Sequence, residues 1–89
     1  MAKGGWTYVM TNKPHGVLYI GVTSDLLTRV DQHKRGKGSA FCRKYGLTTL
    51  VFAEEHSTID EAIAREKAMK AWQRAWKIEL IERGQSRLA

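Results

Sequence analysis

Eighty-nine residues allow one compact core and not two, because chains of this size bury only about 60–65% of their unfolded surface. Apolar residues at 43% and charged residues at 27% argue against wholesale disorder, and no apolar run exceeds four residues, which excludes a membrane span of ~20. The net charge of +6 suits a polyphosphate partner.

Met1 to Gly5 leads directly into a strand-like segment and carries no hydrophobic leader, so a cytoplasmic location is expected. Trp6 to Met10 and Val17 to Val22 are rich in β-branched and aromatic residues. Between them lies the turn cluster Asn12-Lys13-Pro14-His15-Gly16, with His15 as a turn residue. Together they read as a β-hairpin. Period-2 geometry places Trp6, Tyr8 and Met10 on one face, and Tyr19 with Gly21 on one face of the second strand. Gly21 inside a strand marks a bulge or a close approach.

Thr23-Ser24-Asp25 offers N-cap candidates for a helix over about 25–34, which stops at Gly36-Lys37-Gly38. Ser39 to Tyr45 forms a short helical turn ending at Gly46. It contains the single cysteine, Cys42, which excludes an internal disulfide and is assigned no role. Leu47 to Glu54 reads as a third strand, followed by His56 in a loop. Ser57 or Thr58 caps a last helix running to Arg83 and ending at Gly84, with Glu61 near the position of a capping-box partner. The order is β-β-α-(α)-β-α. The expected fold is α/β of the α+β type, a small three-stranded antiparallel sheet flanked by helices, in a single domain over 1–89 with its core at about 5–84.

Several residues fit pure structure poorly. On a helical wheel Ile59, Ala62, Ile63, Met69, Trp72, Trp76 and Leu80 share one arc, which assigns both tryptophans to the core. Glu66 projects into the middle of that arc. A carboxylate there either holds a cation or forms a salt bridge with a neighbouring Lys or Arg, because an unpaired buried charge is costly. Arg29 and His33 stand at i, i+4 on one helix face, a pairing that suits a phosphate, although an ordinary polar face has the same spacing. Tyr8 and Tyr19 come from paired strands, where core packing is the default and contact with a reacting water the alternative. Six basic residues, Arg29, Lys34, Arg35, Lys37, Arg43 and Lys44, face Asp31 alone and give residues 29–44 a net +5. Together these features suit metal-assisted phosphodiester cleavage.

The pattern Tyr8-x10-Tyr19-Ile20-Gly21-x7-Arg29-x3-His33, followed by a distant Glu66, resembles the GIY-YIG nuclease family over about Gly5 to Gly84. The second half-motif is literal. The first is degenerate, with Trp6-Thr7-Tyr8 where the family has Gly-Ile-Tyr. Gln85 stands near a position where the family often has Asn. Length and the segment Gly16 to His33 are similar to the small stand-alone bacterial members, which resemble the nuclease domains of the excision-repair incision enzyme and of homing endonucleases.

The resemblance implies a divalent-metal-dependent endonuclease that hydrolyses DNA phosphodiesters, structure-selective and linked to repair or recombination. It implies Glu66 as the protein ligand of Mg²⁺ (or Mn²⁺) and Arg29 as the stabiliser of charge on the phosphate. Tyr8 would take a proton from water, Tyr19 would position that water, and His33 would bond Tyr8 or the phosphate. Lys34, Arg35, Lys37, Arg43 and Lys44 would track the nucleic-acid backbone, DNA rather than RNA. No separate DNA-binding domain is evident, which leaves targeting to DNA structure or to a protein partner. The competing reading is a catalytically inactive nucleic-acid-binding module on the same fold.

Overall fold

The computed structural model describes residues 4–14 and 16–88, with side chains as far as Arg83. His15 and the side chain of Gln85, both given places above, lie outside that description. β1 (Gly5–Thr11) and β2 (Leu18–Thr23) form the hairpin, with Tyr8 opposite Gly21 and Met10 opposite Tyr19. β3 (Thr49–His56) pairs antiparallel with the other edge of β1, giving the order β2-β1-β3. The sheet is therefore three-stranded and antiparallel, as the sequence predicts. The bulge allowed for at Gly21 falls instead between Val9 and Met10, where β1 slips against β3.

Local chemistry explains the helix ends. α1 (Leu26–Lys34) starts where the Asp25 side chain accepts the Thr28 N–H. α2 (Ala40–Tyr45) is capped by Ser39, which accepts from the Cys42 N–H, and it ends on Gly46 at φ +66. α3 (Ile59–Lys70) begins at Thr58, whose hydroxyl accepts the Glu61 N–H at 3.2 Å. The Glu61 carboxylate reaches back to the Ser57 N–H at 3.2 Å, one residue short of a strict capping box.

Strand alternation sorts the interior into two clusters. Val9, Ile20 and Phe52 face Met69 and Ile81 on one side of the sheet. Tyr8 and Met10 face Cys42 and Leu47 on the other, with Tyr19, Leu26 and Val30 packed around them. α3 lies along β1 and β2, and α4 (Arg74–Leu88) lies against β3.

Three expectations need correction. The last helix is not continuous: it breaks at Ala71-Trp72-Gln73 and then runs past Gly84 to Leu88. None of the three break residues is Gly or Pro, so the cause is tertiary. A straight helix over 59–83 would extend roughly 37 Å, as long as the greatest extent of the molecule, 37 Å. β3, with eight residues, spans only about 26 Å. Breaking the helix brings Ile81 back onto the sheet. Trp72 fills the corner against the apolar cluster, with the Arg65 guanidinium 5.0 Å over its ring. Second, Trp76 is not a core residue: it is 53% exposed, edge-on to Trp72. The wheel that buried it assumed one helix axis. Third, His56 ends β3 and is not in a loop; its Nε2 lies 3.1 Å from the Thr7 hydroxyl, which itself donates to the Ala62 carbonyl.

Candidate active site

The polar cluster is built around Tyr8. Its side chain points from the middle of the central strand into the α1 face of the sheet and has no exposure to solvent. The hydroxyl lies 2.9 Å from His33 Nε2 and receives Arg29 Nε at 3.3 Å. Arginine only donates, so the phenol's own proton has one acceptor in reach, His33 Nε2. The imidazole proton is then on Nδ1, which is buried and without a partner. The opposite tautomer would leave two groups unpaired, the phenol proton and the Nδ1 lone pair. Counting therefore favours a neutral His33 that accepts from Tyr8.

The electrostatics agree with that assignment. Burial pushes the Tyr8 phenol up to about 12, although the bond from Arg29 works in the opposite direction. Burial and the Arg29 charge hold His33 below its ordinary value, so the ring is neutral near pH 7. Arg29 is raised, first by its bond to Tyr8, and its Nη1 also donates to Gln32 Oε1 at 3.2 Å.

Two glycines make room for this arrangement. A Cβ on Gly21 would sit 2.6 Å from both Cζ and Oη of Tyr8. The third residue of the Tyr19-Ile20-Gly21 triplet thus clears the space that its cross-strand neighbour's hydroxyl fills. A Cβ on Gly38 would sit 2.3 Å from His33 Nδ1. Sequence reasoning used Gly38 only as part of a helix stop, but Gly36, at φ +73, already serves that end. A second glycine two residues later was the available signal.

Tyr19 stands beside the cluster, half-buried, its ring centroid 6.2 Å from Tyr8 and 5.6 Å from His33. Four of the five residues expected at the site, Tyr8, Tyr19, Arg29 and His33, are therefore brought together. Glu66 is placed differently. It lies on α3, across the sheet from Tyr8, its side chain 20% exposed and its Oε2 3.2 Å from Lys70 Nζ. The salt bridge offered as one reading of this carboxylate is present. Yet Ile59, Ile63 and Glu66 follow one another at helical spacing on one face. Ile59 and Ile63 line an open cleft with Thr28, Arg29 and Gln32, so Glu66 lies one turn along from that cleft.

Among the described residues no group of three or more His, Cys, Asp or Glu side chains could enclose a metal. Magnesium binds through one or two carboxylates and keeps its remaining waters, so a lone Glu fits that ion and would not fit a fully caged one. Lys34, Arg35, Lys37, Arg43 and Lys44 are all exposed, running from the end of α1 through the loop into α2. Arg35 pairs with Asp31 at 2.9 Å; both are well exposed, so the pair contributes little.

Comparison with known proteins decides the family. The profile of the GIY-YIG catalytic domain matches residues 4–79. The chain belongs to the GIY-YIG family. Its relatives include a UPF0213 protein of Pseudomonas aeruginosa, 33% identical over 76 residues, which covers 85% of this chain and 73% of the relative. A UPF0213 protein of Staphylococcus epidermidis is 35% identical over 69 residues, covering 78% and 84%. One of Cronobacter sakazakii is 34% identical over 76 residues, covering 85% and 80%. No solved structure matches the chain. In this GIY-YIG domain the literal half-motif lies on β2 and the degenerate one on β1, which still delivers its tyrosine to the centre of the site. No helix among the described residues is long and apolar enough to cross a membrane.

Proposed function

We propose that the protein is a divalent-metal-dependent endonuclease acting on DNA, selective for structure and serving repair or recombination in the cytoplasm. The observation that carries this reading is the hydrogen-bonded Tyr8–Arg29–His33 cluster, with Tyr19 beside it on a GIY-YIG sheet. A purely structural core has no need of a buried phenol held between a guanidinium and an orphaned imidazole, since unsatisfied buried groups cost about 1–3 kcal/mol.

Each residue has a role in this reading. Arg29 turns onto the scissile phosphate and stabilises its developing charge, which uncovers the Tyr8 oxygen. Tyr8 takes the proton of the attacking water and passes its own toward His33 Nε2. The phenol at about 12 and an imidazole held below its usual value make that transfer uphill. The two protons must therefore move together with the attack, and not before it. Tyr19, the more accessible phenol, positions the water. Glu66, now paired with Lys70, would be the residue that holds Mg²⁺ or Mn²⁺, and the ion when bound would supply positive charge against the developing negative charge of the reaction. Lys34, Arg35, Lys37, Arg43 and Lys44 hold the strand by its phosphates, with a protein partner or the DNA structure setting the target.

One observation favours the competing reading of an inactive nucleic-acid-binding module: Glu66 is already paired with Lys70. The two readings separate on a panel of duplex, nicked, flapped, branched and single-stranded DNA, with RNA, in Mg²⁺ or Mn²⁺. Cleavage of at least one DNA, lost in Glu66→Ala, is expected. Binding without cleavage in either metal, unchanged by Glu66→Ala, supports the module.

A further inference from the structure

α2 presents an aromatic surface that neither the cleavage cluster nor the core uses. Phe41 is 46% exposed and Tyr45 41% exposed, on a helix of only six residues. They stand at i, i+4, with ring centroids 4.8 Å apart. Cys42, between them in sequence, is the residue α2 buries, and the two rings lie on the flank of that buried side, partly open to solvent. Exposed rings of this size, paired and adjacent, are not what a short surface helix needs for solubility.

The pair is continuous with the cleavage cluster. Phe41 lies 6.3 Å from Tyr19, and Tyr19 lies 6.2 Å from Tyr8, so four rings lead in a row from the buried phenol to the surface. The outer end of the row is cationic. Lys44 Nζ sits 5.4 Å from the centre of the Tyr45 ring. Arg43 leans toward the preceding loop, its Cγ 3.9 Å from where a Gly36 Cβ would be, and Lys37 follows in that loop. Aromatic faces flanked by lysine and arginine match an unpaired base and its phosphate: the ring stacks on the base and the cation meets the backbone. A stacked duplex offers no free base face there. An acidic peptide would use the cations but not the rings.

We infer that Phe41 and Tyr45 form a stacking platform for an unpaired base next to the cleaved bond, so the substrate class is DNA with a single-stranded segment at the cut. This rests on the nuclease reading for its position relative to the cut, but the binding itself does not need metal or cleavage. The test is therefore done in EDTA, with the full chain and a fluorescent (dT)15. The readouts are affinity and the emission of a single 2-aminopurine placed in the strand. Phe41→Ala with Tyr45→Ala should weaken (dT)15 binding by about five- to a hundred-fold and abolish the quenching of 2-aminopurine. Phe41→Trp and Tyr45→Phe, which keep a ring, should retain both. Blunt duplex binding should be nearly unchanged by the alanine pair. Equal (dT)15 affinity in wild type and the double alanine variant overturns the platform. Unquenched 2-aminopurine in the wild-type complex does the same, as does an alanine pair that changes only self-association of the chain. Stacking without any cleavage in Mg²⁺ would uphold the platform while the nuclease reading fails.

Discussion

The two faces of the sheet are built on opposite principles. The face toward α3 and α4 is mainly apolar, with Val9, Ile20, Phe52, Met69 and Ile81 meeting in one cluster and the buried Thr7 satisfied by the Ala62 carbonyl. The face toward α1 and α2 buries a phenol and an imidazole at the same depth as Met10 and Leu47, with the half-buried Arg29 bonded to the phenol. Adjacent residues of one strand, Tyr8 and Val9, belong to different faces and both are fully buried. The difference teaches which contacts hold the fold and which hold a geometry. The apolar face can lose shape and regain it by repacking, whereas the polar face depends on three atoms staying within hydrogen-bond reach.

Substitutions should separate the faces, beginning with chemistry. Tyr8→Phe should lower single-turnover cleavage by about 10²- to 10⁴-fold, the usual worth of a positioned proton acceptor. Its chemical-denaturation midpoint should move much less than that of Phe52→Ala. Phe52→Ala should cost about 3–5 kcal/mol of stability, and Met69→Ala about 2–5 kcal/mol, both read by denaturant unfolding. Their surviving folded fraction should cleave normally.

Glycine substitutions should sharpen the contrast further. Gly38→Ala places a methyl 2.3 Å from His33 Nδ1, and Gly21→Ala places one 2.6 Å from the Tyr8 hydroxyl. Each should cost about 1–3 kcal/mol by overpacking and should also impair cleavage, because the displaced side chain belongs to the cluster. A glycine of the polar face that lowered stability but left cleavage intact would blur the distinction.

The smallest effects are in pH. His33 is held below its ordinary 6.5 when folded, so the unfolded chain binds more protons in that interval. The stability tied to His33 is fully present above about pH 6.5 and is lost as pH falls through its lowered folded value. Tyr8 behaves in the opposite sense: raised to about 12, it contributes stability below pH 10 that is lost between about pH 10 and 12. The stability of wild type should therefore fall relative to Tyr8→Phe between about pH 10 and 12.

Much of this was legible in the sequence. The hairpin, α1 and α2 follow from turn residues, caps and Gly46, all of which act within a few residues of themselves. Strand alternation and helical spacing pick out Tyr8, Tyr19, Arg29 and His33 but are equally compatible with core packing and an ordinary polar face; it is the resemblance to the GIY-YIG family that joins them into one site. The break at Ala71-Trp72-Gln73 was not, since no local residue demands it and the length of the sheet does. Trp76 was misplaced for the same reason. The partner of Glu66 could not be chosen from spacing, because Lys70 and a cation are equally compatible with it. Gly38 escaped notice because what it serves, the space beside His33, exists only after α1 has folded back over the loop.

The central claim is that the Tyr8 hydroxyl carries chemistry and is not merely a buried polar atom. The direct test is single-turnover cleavage of a DNA with an unpaired segment by wild type and Tyr8→Phe, in Mg²⁺, between pH 7 and 10. The account predicts a wild-type rate nearly independent of pH across this range, because Tyr8 stays protonated and His33 neutral throughout it, and a folded Tyr8→Phe protein at least about a hundred-fold slower at every pH. A Tyr8→Phe rate within a few-fold of wild type, with the same pH profile, would contradict it.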